Sequence, residues 1–429
     1  MEGRRLRRMV GLLNARLPEL DLEGVADPRS REGQWSLAQI LRAALVGLMA
    51  GCKGLREVEA LTGSLSVASR RQLALPRRLP DTTMRDALCR LPLDAVRAVL
   101  HRAVKAAWRR KALDPRVVPI QVVALDGKVT ALPTLNQPFV QNQHPEEGLP
   151  YGLVRTVTCA LVTAPGRPCI DAIPIPASTN EMGHFQAAFA SLVATYGPLF
   201  EMVSYDAGAV SEANGAVVVA AAKDYLFALK NEHRTMLKLA SEHLDPDEPA
   251  GRTEDALDNR TTVVRTLTMT AVDRSWAYGD GKGPAESVWS HAKTFLRIDS
   301  AKIRDGGVLE NEVRFFVSSR AASSLTPAQW LHIVRAHWGV ENDNHRTFDV
   351  AFEEDDRPWI EADANGMLAV LLLRRIAYTL LALFRSVSLR SDEGRAIAWK
   401  ELFLWLRDSL VGAQPEHILN LRLGAAATR

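Results

Sequence analysis

The chain has 429 residues, 47% apolar and 24% charged, so it can form ordinary hydrophobic cores and is not a disordered polymer. The net charge of +3 hides an uneven split. The first 115 residues carry 22 Lys and Arg against 12 Asp and Glu, a balance of +10, and the other 314 carry 31 against 38, a balance of −7. A basic head on an acidic body suits polyphosphate for the first and cations for the second. The length allows two or three domains.

Cys52, Cys89, Cys159 and Cys169 form no CxxC pair. Neither a zinc ribbon nor a disulfide framework is expected, and a reducing, cytoplasmic compartment fits. Arg4, Arg5, Arg7 and Arg8 open the chain, but the apolar run behind them is cut short by Asn14 and Arg16, so no secretion signal is read. Two apolar stretches carry central charge: Arg42 in 37–50, and Arg374 and Arg375 in 367–384. Both read as buried helices rather than membrane spans.

The first ~115 residues read as helices. Ser36 caps 37–51, and a shorter helix follows over 55–61. Pro80-Asp81-Thr82-Thr83 starts a helix that Asp81 or Thr82 can cap and that continues over 84–90, and 93–111 is amphipathic with a basic end at Arg102, Lys105, Arg109, Arg110 and Lys111. That end is either a solvated helix terminus or a contact for DNA phosphates. After Pro115 the pattern turns to strands: 117–125, a hairpin of 154–163 and 169–175, then 201–205 and 225–229. Helices over 181–196 and 211–223 separate the later strands, so a mixed α/β sheet is expected. A β-rich insertion follows, with strands over 261–272, 294–303 and 309–318. Thr326 and Pro327 start a helix running to about Thr347, and two more cover 365–384 and 396–407.

Two carboxylates stand at expected strand ends, Asp126 after 117–125 and Asp206 after 201–205. Ligands of open α/β sheets bind beyond the carboxyl ends of strands. Asp-Gly and Asp-Ala-Gly are equally good turn sequences, so either Asp alone also reads as a turn residue. Glu341 is the third acid, and at helical spacing it shares a face with His337 and His345. Two Asp and one Glu could hold two Mg²⁺ ions, which prefer oxygen ligands, in an arrangement suited to phosphodiester cleavage. The two histidines are either metal ligands or packed side chains. Lys128, Lys230 and Asn231, near strand ends, are either phosphate contacts or solvated turn residues.

The motifs Leu125-Asp126-Gly127-Lys128, Tyr205-Asp206-Ala207-Gly208, Tyr225-Leu226-Phe227-Ala228-Leu229-Lys230-Asn231 and His337-Trp338-Gly339-Val340-Glu341-Asn342, with 348–355 behind the last, stand in fixed order. Together they resemble the DDE transposases of bacterial insertion sequences, in particular the H-repeat-associated type. Asn180-Glu181, ahead of the first core helix, fits the same branch, as does Asp27-Pro28-Arg29-Ser30-Arg31 with Trp35-Ser36-Leu37. Where related enzymes place Tyr, Arg and Lys around the glutamate, this chain has Val334, His337 and Phe348; at a position where the branch often has Trp, it has Arg346.

The resemblance implies an RNase H-like mixed sheet flanked by helices, an N-terminal all-α region and a β-rich insertion before the last catalytic helix. The implied layout is a basic DNA-binding region over 1–115, the first part of the core over 116–231, the insertion over 232–325, and core completion with C-terminal helices over 326–429. It implies Asp126, Asp206 and Glu341 as catalytic residues and as ligands of two Mg²⁺ ions, with Mn²⁺ as a substitute. The implied reaction is strand cleavage at the ends of an insertion sequence, then attack of the 3′-hydroxyl on target DNA. The partner is double-stranded DNA, with no membrane, and the working form a homodimer on DNA. The rival readings are a domesticated, non-catalytic DNA-binding protein on the same fold, and a glycosidase using paired carboxylates. A glycosidase would leave the basic head without a role.

Overall fold

The computed structural model describes residues 2–29, 33–279, 281, 284–389 and 391–417; Ser30 and Arg31 of the N-terminal motif lie outside them. Six helices come first: α1 (Glu2–Arg16), α2 (Leu37–Met49), α3 (Leu55–Ser64), α4 (Val67–Leu73), α5 (Asp81–Arg90) and α6 (Leu93–Arg109). The Ser36 hydroxyl accepts from the Gln39 N–H, and the Gln39 side chain accepts from the Ser36 N–H, so α2 begins with a capping box. The expected cap of α5 is corrected. Pro80 occupies the cap position without a side-chain bond, and Asp81 lies in the first turn, where its charge meets the positive helix end.

The strands and their crossover helices follow: β1 (Val122–Leu132), β2 (Val140–Gln143), β3 (Tyr151–Leu161), β4 (Cys169–Pro174), α7 (Glu181–Tyr196), β5 (Met202–Tyr205), α8 (Glu212–Ala220), β6 (Asp224–Leu229) and α9 (Arg234–His243). Next come β7 (Gly251–Ala256), β8 (Thr261–Ala271), the short pair β9 (Ala277–Tyr278) and β10 (Glu286–Ser287), β11 (Thr294–Arg304) and β12 (Gly307–Ser318). The main sheet runs β2-β3-β1-β5-β6-β12-β11-β8-β7, with β4 also paired to β3. β1 is antiparallel to β3 and parallel to β5, and β5 is parallel to β6. The mixed α/β architecture is as expected. β7, β8, β11 and β12 extend this same sheet, because β12 pairs with β6 from Phe315↔Leu229 onward, while β9 and β10 form a separate two-stranded sheet.

The first strand lies further along the chain than its apolar run suggests. β1 stays paired with β3 as far as Leu132↔Gly152, whereas its pairing with β5 ends at Leu125↔Tyr205. Asp126 therefore lies inside β1, not after it. It is nonetheless the first residue beyond the parallel part of the sheet.

Strand alternation divides the core. Val123 and Leu125 face the large cluster under the helices, and Val122 and Ala124 face a second cluster with Trp330 and Ile333. These last belong to α10 (Pro327–His337), which begins as expected at a Thr326–Gln329 capping box with Pro327 in its first turn. α11 (Arg346–Val350), α12 (Ala364–Leu383), α13 (Asp392–Arg395) and α14 (Trp399–Gly412) complete the chain. The stretch Ala364–Ser388 is long and apolar enough to cross a membrane, but its most apolar window is wholly buried within the protein, where α12 packs against α2, α5, α6 and β4.

The N-terminal helices are tied to the sheet by charge as well as by packing. The Arg97 guanidinium on α6 donates to both oxygens of Asp171 on β4, at 3.0 and 2.7 Å, and His101 lies 3.1 Å from the same carboxylate. Burial pushes the Asp171 carboxyl up, but the hydrogen bonds and charges of His101 and Arg97 outweigh it and hold it below its usual value. Arg97→Ala would strand a buried carboxylate. The expected cost is about 3–5 kcal/mol, read as a lower urea midpoint. An unchanged midpoint would show that α6 is held by its apolar face alone.

Candidate functional site

Register sets the site. Leu125 and Tyr205 are the last partners of the parallel pair, so Asp126 and Asp206 follow side by side on neighbouring strands. By alternation both share the face of Val122, Ala124 and Met202, the side covered by α10. Burial in the strands below leaves these two acids at the open rim, where a polar ligand can reach them.

The continuous helix expected through Thr347 breaks. α10 ends at His337, a π-helical turn covers Val340–His345, and α11 resumes at Arg346. A π turn bonds i to i+5 and rotates successive side chains away from the spacing of an α-helix. His337, Glu341 and His345 consequently do not share a face. His337 is buried, with Nδ1 2.9 Å from the Ser204 hydroxyl. His345 sits between Asp126, 3.2 Å from its Nδ1, and Thr158, 3.1 Å from its Nε2. Glu341 is exposed and turned into a neighbouring groove. Gly339 at the break has a use, since a Cβ there would meet the Arg167 guanidinium packed against it.

The groove beside Glu341, about 630 Å³, is bounded by β8, β11, β12 and α10. Arg167, Arg265, Lys302, Arg314, Arg335 and Arg346 line it together with Glu310, Glu312, Glu341 and Asp343. Asp255 pairs with Arg265 and Arg335 at 2.7 and 2.5 Å, so its charge is mixed rather than basic. Arg314 stacks 3.9 Å over the Trp338 ring.

Glu181 brings a further carboxylate near the two aspartates, from the opposite face of the sheet, where Tyr205 and the Cα of Gly127 point. Glu181 opens α7 behind the Asn180 cap, and its carboxylate accepts a hydrogen bond from the Tyr205 hydroxyl. It rests where Gly127 has no side chain; a Cβ at 127 would collide with it. Burial raises the Glu181 carboxyl above its usual value; the Tyr205 hydrogen bond opposes this, and the charges of Asp126 and Asp206 add to it. The sequence held only one hint, the Asn180-Glu181 pair at the head of a core helix, and no role was read from it.

The two lysines expected near the site have defined partners. Lys230 reaches Asp206, 3.0 Å from its Oδ2. Lys128 is not a phosphate contact: it is buried, and its ammonium bridges Asp349 and Asp355 at 2.5 and 3.1 Å. Asn231 lines a second pocket, on the α9 side of the sheet. Among the described residues, Asp349, Glu354 and Asp355 are the acids whose oxygens converge within 4.8 Å. That group already holds the Lys128 ammonium, and Glu354 is paired to Arg375. Asp126, Asp206 and Glu341 do not converge in this way.

The donor chemistry at the rim suits a hard divalent cation, although the oxygens of Asp126, Asp206 and Glu181 do not converge within 4.8 Å. Asp126, Asp206 and Glu181 offer only carboxylate oxygens. His345 and Lys230 each contact one oxygen, Oδ2, of their aspartate. The carboxylate of Glu181 fills the cradle left at Gly127.

Burial pushes His337 down to about 4, against the pull of Asp126 and Asp206 and with help from Arg314 and Lys230. The usual value is 6.5. The unfolded chain therefore binds the extra proton first, and the stability due to neutral His337 is present above pH 6.5 and lost as pH falls from 6.5 to about 4. The loss over that window should approach about 3 kcal/mol. Urea unfolding at a series of pH values, compared with His337→Asn, checks it; equal slopes for the two proteins would remove His337 as the cause.

No protein-family model matches the chain, and no curated protein matches it. Among solved structures, a piggyBac transposase synaptic complex with hairpin DNA overlays with a TM-score of 0.41 and 13% identity, covering 98% of this chain and 82% of that one. That likeness is too loose to assign a function.

Proposed function

We propose that this chain cuts and rejoins DNA strands as a DDE-type transposase of an insertion sequence, of the H-repeat-associated kind. The observation that carries the reading is the Leu125↔Tyr205 register, which sets Asp126 and Asp206 together at the open end of parallel strands. The order β4-β3-β1-β5-β6, with β3 antiparallel to its neighbours and β5 and β6 parallel to β1, supports an RNase H-like core. Asp126, Asp206 and Glu341 are the catalytic acids in this reading. Duplex DNA is the substrate, and a homodimer in the cytoplasm holds two ends.

Asp126 and Asp206, with Glu181 beside them, would hold Mg²⁺. Bound there, such ions lower the pKa of an attacking oxygen and steady the leaving oxygen. The chain's own residues do the rest. His345 orients Asp126 from Thr158, Tyr205 holds Glu181 at the strand end, and neutral His337 supports the Ser204 level beneath. In cleavage, a water oxygen forms a bond to phosphorus while the bond to the 3′-oxygen breaks. In transfer, that 3′-oxygen attacks a target phosphate and the target's own 3′-oxygen departs.

The outward position of Glu341 favours a second reading, a non-catalytic DNA-binding protein on the same fold. A nicking assay with Mg²⁺ on duplex carrying the element's ends separates the two. Nicking by the full-length protein supports the enzyme, and tight binding without nicking supports the alternative.

A further inference from the structure

The pocket on the α9 side of the sheet is about 490 Å³, within the range of small-ligand sites. Arg234, Leu237, Lys238 and Ser241 project into it from one face of α9, at helical spacing. Phe315 and Tyr278 supply aromatic walls, and Asn231 closes the end nearest Lys230. Two cations, two rings and an amide line it, and no carboxylate does among the described residues. This contrasts with the mixed charge of the groove at Glu341.

Its position follows from the strand register. Tyr205 pairs with Phe227 and Leu229 with Phe315, so Phe315 lies two strands across from Asp206 and about one residue further up. At ~4.8 Å between strands the backbones are about 10 Å apart in the sheet, with Phe315 on the face opposite Asp206, so a DNA strand would pass from one to the other around the rim at Lys230 and Asn231. Lys230 and Asn231 are consecutive, so one turn sends a cation to Asp206 and an amide into the pocket.

Aromatic faces beside cations suit one ligand chemistry well: a base stacked on a ring with its phosphate on Lys or Arg. We propose that this pocket takes an unpaired nucleotide of the DNA strand lying beside Asp206, with its phosphate on Arg234 and Lys238 and its base against Phe315 and Tyr278. The proposal rests on the DNA reading above and adds where the strand goes.

The test measures binding of the full-length protein to two probes, a blunt duplex and the same duplex with a short unpaired extension, by fluorescence anisotropy over a salt series. Wild type should prefer the extended probe. Arg234→Ala with Lys238→Ala, both exposed, should lower the salt slope for the extended probe by about one to two. Phe315→Leu should weaken the extended probe roughly 5- to 150-fold, the range of a lost base stack, and leave the blunt duplex unchanged. Equal binding of both probes by wild type, or an unchanged slope in the double variant, overturns the pocket assignment while leaving the DNA reading standing. No binding of either probe at low salt overturns both.

Discussion

On the proposed reading, replacing Asp126 or Asp206 with Ala should lower strand cleavage on the order of 10³-fold or more, because each carboxylate would contribute several kcal/mol of charge stabilisation at the reacting phosphate. DNA binding should change little, and folding should survive, since both side chains sit partly exposed at the rim. Glu341→Ala should show the same loss if the π turn carries Glu341 inward when DNA is bound. Its exposed position predicts no loss of stability in the free protein. π turns are common at functional sites, and this one ends on His345, which contacts Asp126. Gel-based nicking with a parallel binding assay checks all three variants. Full cleavage by Asp126→Ala or Asp206→Ala would sink the catalytic assignment. Full cleavage by Glu341→Ala alone would move the third role to Glu181.

Glu354→Ala should cost about 3–5 kcal/mol. Glu354 is buried, and so are Arg374 and Arg375 opposite it on α12. Arg375 donates to it, at 2.9 Å for one of the two bonds, and Arg374 lies 3.8 Å away. Burial pushes the Glu354 carboxyl up, yet the charge and hydrogen bonds of Arg375, with Arg374 behind, keep it below its usual value. Removing it leaves two guanidinium groups without their counter-ion inside the protein. Replacing Glu354 and Arg375 together by apolar residues should recover part of the loss. Urea midpoints of the single and double variants decide it. A Glu354→Ala midpoint equal to wild type would mean that the pair adds nothing to the fold. The consequence reaches the site, because the neighbouring Asp355 and Asp349 clamp Lys128, two residues after Asp126 on β1.

The charge split along the chain needs revision in its geometry. Much of the basic head is spent inside the fold: Arg97 on Asp171, Arg102 on the Leu20 carbonyl and Arg110 on Glu19. The basic end of α6 lies toward the start of β1, where the Gln121 side chain bonds the Leu113 carbonyl. Asp126 is five residues up the strand, about 17 Å away. A phosphate held at Lys105, Arg109 or Lys111 is therefore not the one that reaches the acids. The helices also share one apolar core with α12 and α14, so the head does not stand apart from the body.

Local signals were legible. Thr326-Pro327 and Ser36 declared helix starts, and the apolar runs before Asp126 and Asp206 declared strands. What the sequence could not show was non-local. The joining of β12 to β6 rests on a pairing across about 86 positions, counted from Leu229 to Phe315. Glu181 enters the site only through the fold. The break in α10 was hidden because 3.6-residue spacing and π spacing differ by less than one residue per turn over so short a stretch. Lys128 reads from sequence as a phosphate contact or a solvated turn residue because its acidic partners lie more than 200 residues away.

Divalent-cation binding to the DNA-free, full-length protein is the most direct test of the acid pair as a working unit. Titrating Mn²⁺ calorimetrically should show binding that is lost in Asp126→Asn and in Asp206→Asn, and weakened in Glu181→Gln. Binding that is unchanged in both aspartate variants would contradict the account, however the cleavage assays turn out.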